Sequence, residues 1–203
     1  MREVTVGELM SVLGQEGQFV VATGGLRGLE RRVGIPKVQR AGVALTGFTE
    51  NIVVQRIQLI GRSEMSYLEA QSPEDQSELL EKFSAAGFPA VVFTAGELPP
   101  VRLIELAEQI GFSIITTHLE STIAIDRLNR TMGGFLAPRE VRHAVLVDVH
   151  GVGVLLIGKS GIGKSEIGLE LISRGHRLVA DDLVVLEQTS ETSVVGHSPE
   201  LTR

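Results

Sequence analysis

The sequence contains no cysteine, which excludes disulfides, thiolate metal sites and a cysteine nucleophile. A chain without disulfides is suited to a reducing compartment such as the cytoplasm. No apolar run approaches the roughly 18 residues of a membrane-spanning helix, and residues 1–8 lack the apolar core of a signal peptide. These absences predict a cytoplasmic protein without a membrane partner.

Clustered positive charge is also missing. The net charge is −6 and the arginines are scattered along the chain, so electrostatics gives no reason to expect nucleic acid as a partner. Lysine is scarce, with only Lys37, Lys82, Lys159 and Lys164. Because the last two lie within one short glycine-rich segment, that segment is the first candidate for a functional site.

The segment at residues 158–165 reads Gly-Lys-Ser-Gly-Ile-Gly-Lys-Ser and fits the phosphate-binding pattern Gly-x-x-x-x-Gly-Lys-[Ser/Thr]. It follows a predicted strand and precedes a predicted helix, so backbone N–H groups and the positive helix end would converge on phosphate oxygens. Lys164 would reach the terminal phosphates, and the Ser165 hydroxyl would complete a Mg²⁺ shell. Backbone conformations closed to other residues would come from Gly158, Gly161 and Gly163. The alternative is a glycine-rich turn with an incidental lysine.

Two adjacent carboxylates follow the apolar strand Leu178–Ala180. In magnesium-dependent phosphoryl transfer, one carboxylate can hold the metal or its water while another takes a proton from the attacking hydroxyl. Asp181 and Asp182 would point to opposite faces and therefore play different roles; the alternative is a solvated acidic turn. His143 begins the strand two before the loop and is either functional or structural. Histidine spacing predicts no metal-binding pair, and His150 and His176 are interpreted as turn residues.

The 203 residues allow one large domain or two small ones. In the first part, strands and helices of regular length alternate, which predicts an α/β domain with a mainly parallel sheet. The glycine-rich residues 132–138 predict the boundary between domain 1–131 and domain 132–203. Predicted strands are 19–22, 55–60 with one wet face, 90–93, 112–116, a hairpin of 144–149 and 152–157, 178–180 and 183–186; predicted helices begin at or near residues 5, 63, 72, 100, 120 and 166, the one from 120 ending at 130.

The second part resembles the bacterial HPr kinase/phosphorylase family. The resemblance is carried by His143, the run Gly153–Glu166 and the run Arg174–Asp182, which ends in Val-Ala-Asp-Asp. It extends to the first part, where the family's N-terminal domain is similar at Arg40–Gly47, Arg56–Gly61, Glu64 and Tyr67. The resemblance implies a P-loop kinase core of the phosphoenolpyruvate carboxykinase-like type.

This resemblance further implies a bifunctional enzyme that uses ATP or pyrophosphate with Mg²⁺ to phosphorylate a serine of the phosphocarrier protein HPr, and that reverses the reaction by phosphorolysis. It implies His143, Lys164 and Asp182 as active-site residues, with Asp182 as proton acceptor in one direction and donor in the other, and Ser165 as a metal ligand. A homo-hexamer is also implied. The nucleotide-binding residues would be Gly158, Lys159, Ser160, Gly161, Ile162, Gly163, Lys164 and Ser165.

The sequence departs from this family at Lys159, where an acidic residue is common, and at Ala144, where glycine is common. Residues 139–203 supply too few elements to cover both faces of a P-loop sheet, and Ser198-Pro-Glu-Leu resembles a helix start. We therefore expect a C-terminally incomplete kinase domain. The competing hypotheses are a P-loop kinase of another acceptor and a non-catalytic protein that binds phosphate or nucleotide.

Overall fold

The computed structural model describes residues 2–189 and 192–199. The chain divides into two compact units between Leu136 and Ala137, and both units mix helices with sheets. The first unit contains β1 (Val4–Thr5), α1 (Val6–Leu13), β2 (Val20–Thr23), α2 (Gly25–Glu30), β3 (Arg32–Val33), β4 (Gln39–Arg40), β5 (Gln58–Ile60), α3 (Arg62–Glu69), α4 (Pro73–Ala85), β6 (Ala90–Phe93), α5 (Val101–Ile110), β7 (Ser113–Thr116) and α6 (Ser121–Leu136).

The main sheet of the first unit has the order β2-β7-β6-β5-β4. Strands β4 to β7 are parallel, and β2 pairs antiparallel with β7 at the edge. The mainly parallel sheet expected from the sequence is therefore confirmed. A separate antiparallel ribbon joins β1 and β3.

Helices cover both faces of this sheet. Alternate strand residues point to opposite faces, so Phe93 packs in a core with residues of α3, α4 and α5, whereas its neighbour Val92 packs in a second core with residues of α1 and α6. The predicted wet face of the strand at 55–60 is wrong for this reason: all of β5 is buried, including Gln58. The predicted strand at 19–22 corresponds to β2, which lies at the edge of the sheet, where Val20 is 56% exposed.

Side-chain hydrogen bonds cap the starts of α1, α3 and α4. Thr5 and Glu8 form a reciprocal capping box at α1, and the Ser72 hydroxyl accepts a hydrogen bond from the Asp75 amide at α4. Helix α3 starts earlier than predicted, with Gly61 rather than Ser63 as its N-cap. The Glu64 carboxylate caps this start by accepting a hydrogen bond from the Gly61 amide.

Helix α6 continues to Leu136, beyond the predicted end at residue 130 and through two glycines. Met132 is fully buried in the core, and Phe135 and Leu136 pack against it. Burial of these side chains outweighs the low helix propensity of Gly133 and Gly134.

The second unit contains β8 (Arg139–Val149), β9 (Val152–Ile157), α7 (Lys164–Ser173), β10 (Arg177–Ala180), β11 (Leu183–Gln188) and β12 (Val194–His197). Strands β8 and β9 form the predicted hairpin, since His150 and Gly151 both have positive φ (54° and 86°), as a type I′ turn requires. All described strand pairs in this unit are antiparallel. The second half of the predicted helix start at Ser198-Pro-Glu-Leu, residues 200 and 201, lies outside the described residues.

An ion pair between the half-exposed Arg40 and the buried Glu64 joins the carboxyl end of β4 to α3. Arg40 donates two hydrogen bonds of 3.1 Å to the Glu64 carboxylate, whose side chain is only 6% exposed. Burial alone would raise the pKa of Glu64, but the hydrogen bonds from Arg40 and from backbone amides, including that of Gly61, outweigh it and hold the pKa below its ordinary value.

We expect Glu64→Gln to lower the free energy of unfolding by about 1–3 kcal/mol at pH 7, because the buried Glu64 carboxylate loses its charge-assisted hydrogen bonds. Since the folded-state pKa is lowered, this contribution is present above the unfolded pKa of about 4.3 and is lost as pH falls through the folded pKa. Urea unfolding at several pH values should show the variant and wild type converging in acid. Equal stability at pH 7, or a deficit as small as that of the exposed control Glu78→Gln, would contradict this.

Glycine in α6 gives a second prediction. A Cβ added at Gly133 meets nothing within 4 Å, so Gly133→Ala should stabilise the chain by about 0.5–1 kcal/mol through helix propensity. The matched change Gly28→Ala in α2 should destabilise, because its Cβ would lie 2.7 Å from Ser113 Oγ. Thermal unfolding measures both, and a gain at Gly28 or a loss at Gly133 would refute the packing described.

Candidate active site

The phosphate-loop segment connects the end of β9 at Ile157 to the start of α7 at Lys164. Gly161 has φ 77° and Gly163, the N-cap of α7, has φ 100°. These left-handed conformations favour glycine, and both residues lie just before α7, whose amino end carries the positive end of the helix dipole. The unusual backbone that the sequence predicts for Gly161 and Gly163 is therefore present.

Gly158 contributes in a different way from the predicted one. It is not among the residues with positive φ, so its backbone is not closed to other residues. Instead, a Cβ at Gly158 would lie 2.9 Å from Ile162 Cγ2. Any larger residue here would have to displace the Ile162 side chain, which is 67% exposed.

Lys164 reaches back across the loop. Its ammonium donates hydrogen bonds to the carbonyl oxygens of Gly158 (2.9 Å) and Lys159 (3.0 Å). Ser165 follows in the first turn of α7 and is exposed. The cation and the hydroxyl therefore lie together at the amino end of the helix, where phosphate oxygens and a divalent ion would fit.

Strands β10 and β11 both pair antiparallel with β8, with Leu178 opposite Val147 and Leu183 opposite His143. The register shifts by one residue between Leu178 and Ala180. The ladder is interrupted at Asp181 and Asp182. Asp182 has φ 70°, a left-handed conformation that is uncommon outside glycine.

Two hydrogen bonds hold this kink. The Asp182 amide donates to the Asp181 carboxylate at 3.0 Å, and the Asp182 carbonyl accepts the Ala144 amide of β8 at 3.1 Å. The two carboxylates therefore have different surroundings, since Asp181 is tied to the backbone whereas no such bond is seen for the Asp182 carboxylate within the described residues.

The kink brings Asp182 to His143, with 3.5 Å between His143 Nδ1 and Asp182 Oδ1. Both side chains are open to solvent, with exposures of 81% and 85%. Such exposure leaves room for a large substrate to approach both groups.

A cleft of about 660 Å³ joins these parts. Among the predicted site residues it is lined by His143, Gly158, Ser160, Gly161, Gly163, Lys164, Ser165 and Asp182. Lys159 and Ile162 belong to the loop but do not line the cleft. Sequence reasoning did not place three lining residues in the site: Ala144, Val145 and Glu166. Asp181, the other carboxylate that the sequence offered, also lines the cleft. The only sequence signal for Glu166 as a site residue was its position directly after Ser165.

The described residues do not form a metal centre from protein ligands alone that could hold the predicted Mg²⁺. No group of three or more His, Cys, Asp or Glu side chains suited to a metal occurs in residues 2–189 and 192–199. Magnesium characteristically binds through one or two protein ligands plus substrate phosphates, which is compatible with Ser165 beside the loop. Over the same residues, no helix has the length and apolar character needed to cross a membrane.

Comparison with known families covers nearly the whole chain. A family described as "HPr Serine kinase N terminus" matches residues 4–132, and one described as "HPr Serine kinase C-terminal domain" matches residues 134–203. The chain belongs to the HPr serine kinase family.

Relatives named HPr kinase/phosphorylase align with most of this HPr serine kinase family member. The protein from Leptospira biflexa is 39% identical over 186 residues, 92% of this chain and 58% of its own length. The protein from Geobacillus kaustophilus is 39% identical over 87% of this chain and 57% of its own length, and that from Caldicellulosiruptor bescii is 37% identical over 98% and 63%. The chain thus spans about three fifths of the length of these relatives.

Solved structures add little for this member of the HPr serine kinase family. The HPr(Ser) kinase/phosphatase of Coxiella burnetii matches with 40% identity and a TM-score of 0.28, covering 30% of this chain and 41% of that one. The CBS and DRTGG domains of a Clostridium perfringens pyrophosphatase match with 20% identity and a TM-score of 0.42, covering 61% and 45%. Both scores are too low to establish a shared architecture.

The left-handed loop residues give a prediction about stability. Gly163→Ala forces a Cβ into a conformation with φ 100°, so we expect a loss of about 1–2 kcal/mol. The control is Gly153→Ala in β9, whose Cβ would meet Leu146 at an ordinary 3.6 Å. Urea unfolding of both variants checks this, and equal stability would show that the cradle is not held in this conformation.

Proposed function

We propose that this chain is part of a bifunctional kinase and phosphorylase that transfers a phosphoryl group from ATP or pyrophosphate to a serine of HPr and removes it by phosphorolysis. The observation that carries the proposal is the placement of Asp182, in a left-handed kink beside His143, on the same cleft as the phosphate loop. Family membership supplies the acceptor, because the matching relatives are named HPr kinase/phosphorylase.

Binding of the phosphates is assigned to the loop from Gly158 to Ser165. Its backbone amides and the amino end of α7 favour anionic oxygens, and the Lys164 ammonium adds a positive charge over the cradle. When phosphate enters, Lys164 exchanges its bonds to the loop carbonyls for bonds to phosphate oxygens.

Proton transfer is assigned to Asp182. In the forward reaction the serine Oγ forms a bond to the terminal phosphorus, the bond from that phosphorus to its bridging oxygen breaks, and the Asp182 carboxylate accepts the serine proton. In the reverse reaction an oxygen of inorganic phosphate attacks the phosphoserine phosphorus and forms pyrophosphate. The serine Oγ then leaves and takes the proton from Asp182, so one carboxyl group serves both directions.

His143 is proposed to orient the Asp182 carboxylate and to contact the transferred group, since its ring lies 3.5 Å from that carboxylate. Ser165 is proposed to hold Mg²⁺, which would neutralise negative charge on the phosphate oxygens. Because His143 and Asp182 are more than four-fifths exposed, a serine on the surface of a folded protein can approach them.

The proposal also includes three further properties that the family resemblance implies. They comprise a phosphoenolpyruvate carboxykinase-like kinase core, assembly into a homo-hexamer and a cytoplasmic location. Their support is the likeness to the family.

We expect Asp182→Asn to reduce phosphoryl transfer to HPr about 10²–10⁴-fold, the usual contribution of a general base. Asparagine tolerates the left-handed conformation, so ATP binding should be preserved. The measurement is transfer of labelled phosphate from ATP to HPr with Mg²⁺, alongside ATP affinity by calorimetry.

A matched control is Glu170→Gln, which removes an exposed carboxylate from α7 outside the cleft and should leave transfer unchanged. Full activity in Asp182→Asn would contradict the assigned base. ATP binding without transfer to HPr by the wild-type chain would favour a non-catalytic nucleotide-binding role, and transfer only to another acceptor would favour a different kinase.

A further inference from the structure

The imidazoles of His150 and His176 meet at the opposite end of β8 from the cleft. Their ring centroids are 5.0 Å apart and their planes are inclined at 88°. His150 follows β8, whereas His143 lies within it, and a strand rise of about 3.3 Å per residue places the two roughly 20 Å apart. The pair is therefore separate from the phosphate cleft.

The backbone of His150 is held in a fixed turn. It has φ 54° in the two-residue connection between β8 and β9. The next amide, that of Gly151, donates a 2.7 Å hydrogen bond to Asp148 Oδ1. The turn that carries the His150 ring is therefore held by a side-chain hydrogen bond.

The backbone of His176 is held by the end of α7. Gly175 has φ 93°, and its amide donates to the Ile172 carbonyl at 2.9 Å while the His176 amide donates to the Leu171 carbonyl at 3.1 Å. This double hydrogen bond is the Schellman motif, with His176 at its last position. Although 26 positions separate the two histidines in sequence, both are on constrained backbones.

Asp148 connects the two segments. Its Oδ1 accepts the Gly151 amide, and its Oδ2 lies 3.2 Å from Arg177 Nη2, directly opposite in the β8–β10 register. This carboxylate holds the histidine-bearing segments together and offsets the charge of Arg177, which would otherwise repel a cation.

Two neutral imidazoles suit a borderline divalent transition metal far better than Mg²⁺, which prefers oxygen ligands. Two rings that bind one tetrahedral Zn²⁺ at nitrogen distances of about 2.0–2.1 Å have centroids about 5 Å apart. The observed centroid spacing of 5.0 Å matches this value. Each imidazole binds such a metal through the lone pair of one ring nitrogen.

We propose that His150 and His176 form a two-imidazole binding site for a transition-metal ion of the Zn²⁺ class, with water completing the coordination. Bound metal would fasten the β8–β9 turn to the α7–β10 connection. With two protein ligands, the site is an exchangeable one rather than a closed structural centre.

The test is calorimetric titration of the chain with ZnCl₂ at pH 7.5 in a buffer without phosphate. We expect the chain to bind one Zn²⁺, and we expect Mg²⁺ not to compete with it. His150→Asn and His176→Gln should each weaken the affinity for Zn²⁺ at least tenfold. Asparagine is chosen at position 150 because it tolerates positive φ. Circular dichroism of each variant establishes that it is folded.

Two histidine controls make the outcome specific. His118→Gln in the first unit and His143→Gln in the cleft should leave Zn²⁺ affinity unchanged. The proposal is overturned if both His150→Asn and His176→Gln, while folded, bind Zn²⁺ as wild type does. It is also overturned if His143→Gln abolishes binding, which would place the ion in the cleft, or if the wild-type chain binds no Zn²⁺ at micromolar concentrations.

Discussion

The antiparallel hydrogen-bond ladder along β8 is the interaction on which the second unit depends. This strand has 11 residues, and it pairs with β9, β10 and β11. Through β9 it positions the start of the phosphate loop, and through β11 it places His143 opposite Leu183, next to Asp182. A binding element and a candidate proton acceptor that are distant in sequence thereby share one cleft.

The ladder also stabilises an unfavourable conformation at Asp182. A left-handed non-glycine residue costs about 1–2 kcal/mol, and here the Ala144 amide and the Asp181 carboxylate hold it in place. Conformational strain of this kind persists where the surrounding structure over-determines it, and it is common at functional sites. At this position it turns the strand so that a carboxylate faces a histidine instead of continuing the sheet.

Local patterns in the sequence were sufficient for much of this structure. The glycine spacing predicted the phosphate loop, alternating strands and helices predicted the mainly parallel sheet, and the polar turn predicted the β8–β9 hairpin. Features set by tertiary contacts were missed: Gln58 is buried by helices on both faces, and α6 passes through Gly133 because the side chains that follow are packed in the core. The contact between His150 and His176 depends on strand register, so sequence spacing gave no sign of it.

We propose that the phosphate loop and the Asp181–Asp182 kink form one phosphate site on the same cleft. Amide hydrogen exchange of the chain, with and without ATP and Mg²⁺, distinguishes one site from two. We expect ATP to slow exchange both at residues 158–165 and at residues 181–183. Protection of the loop without the kink, or of neither, would contradict a single site built on β8.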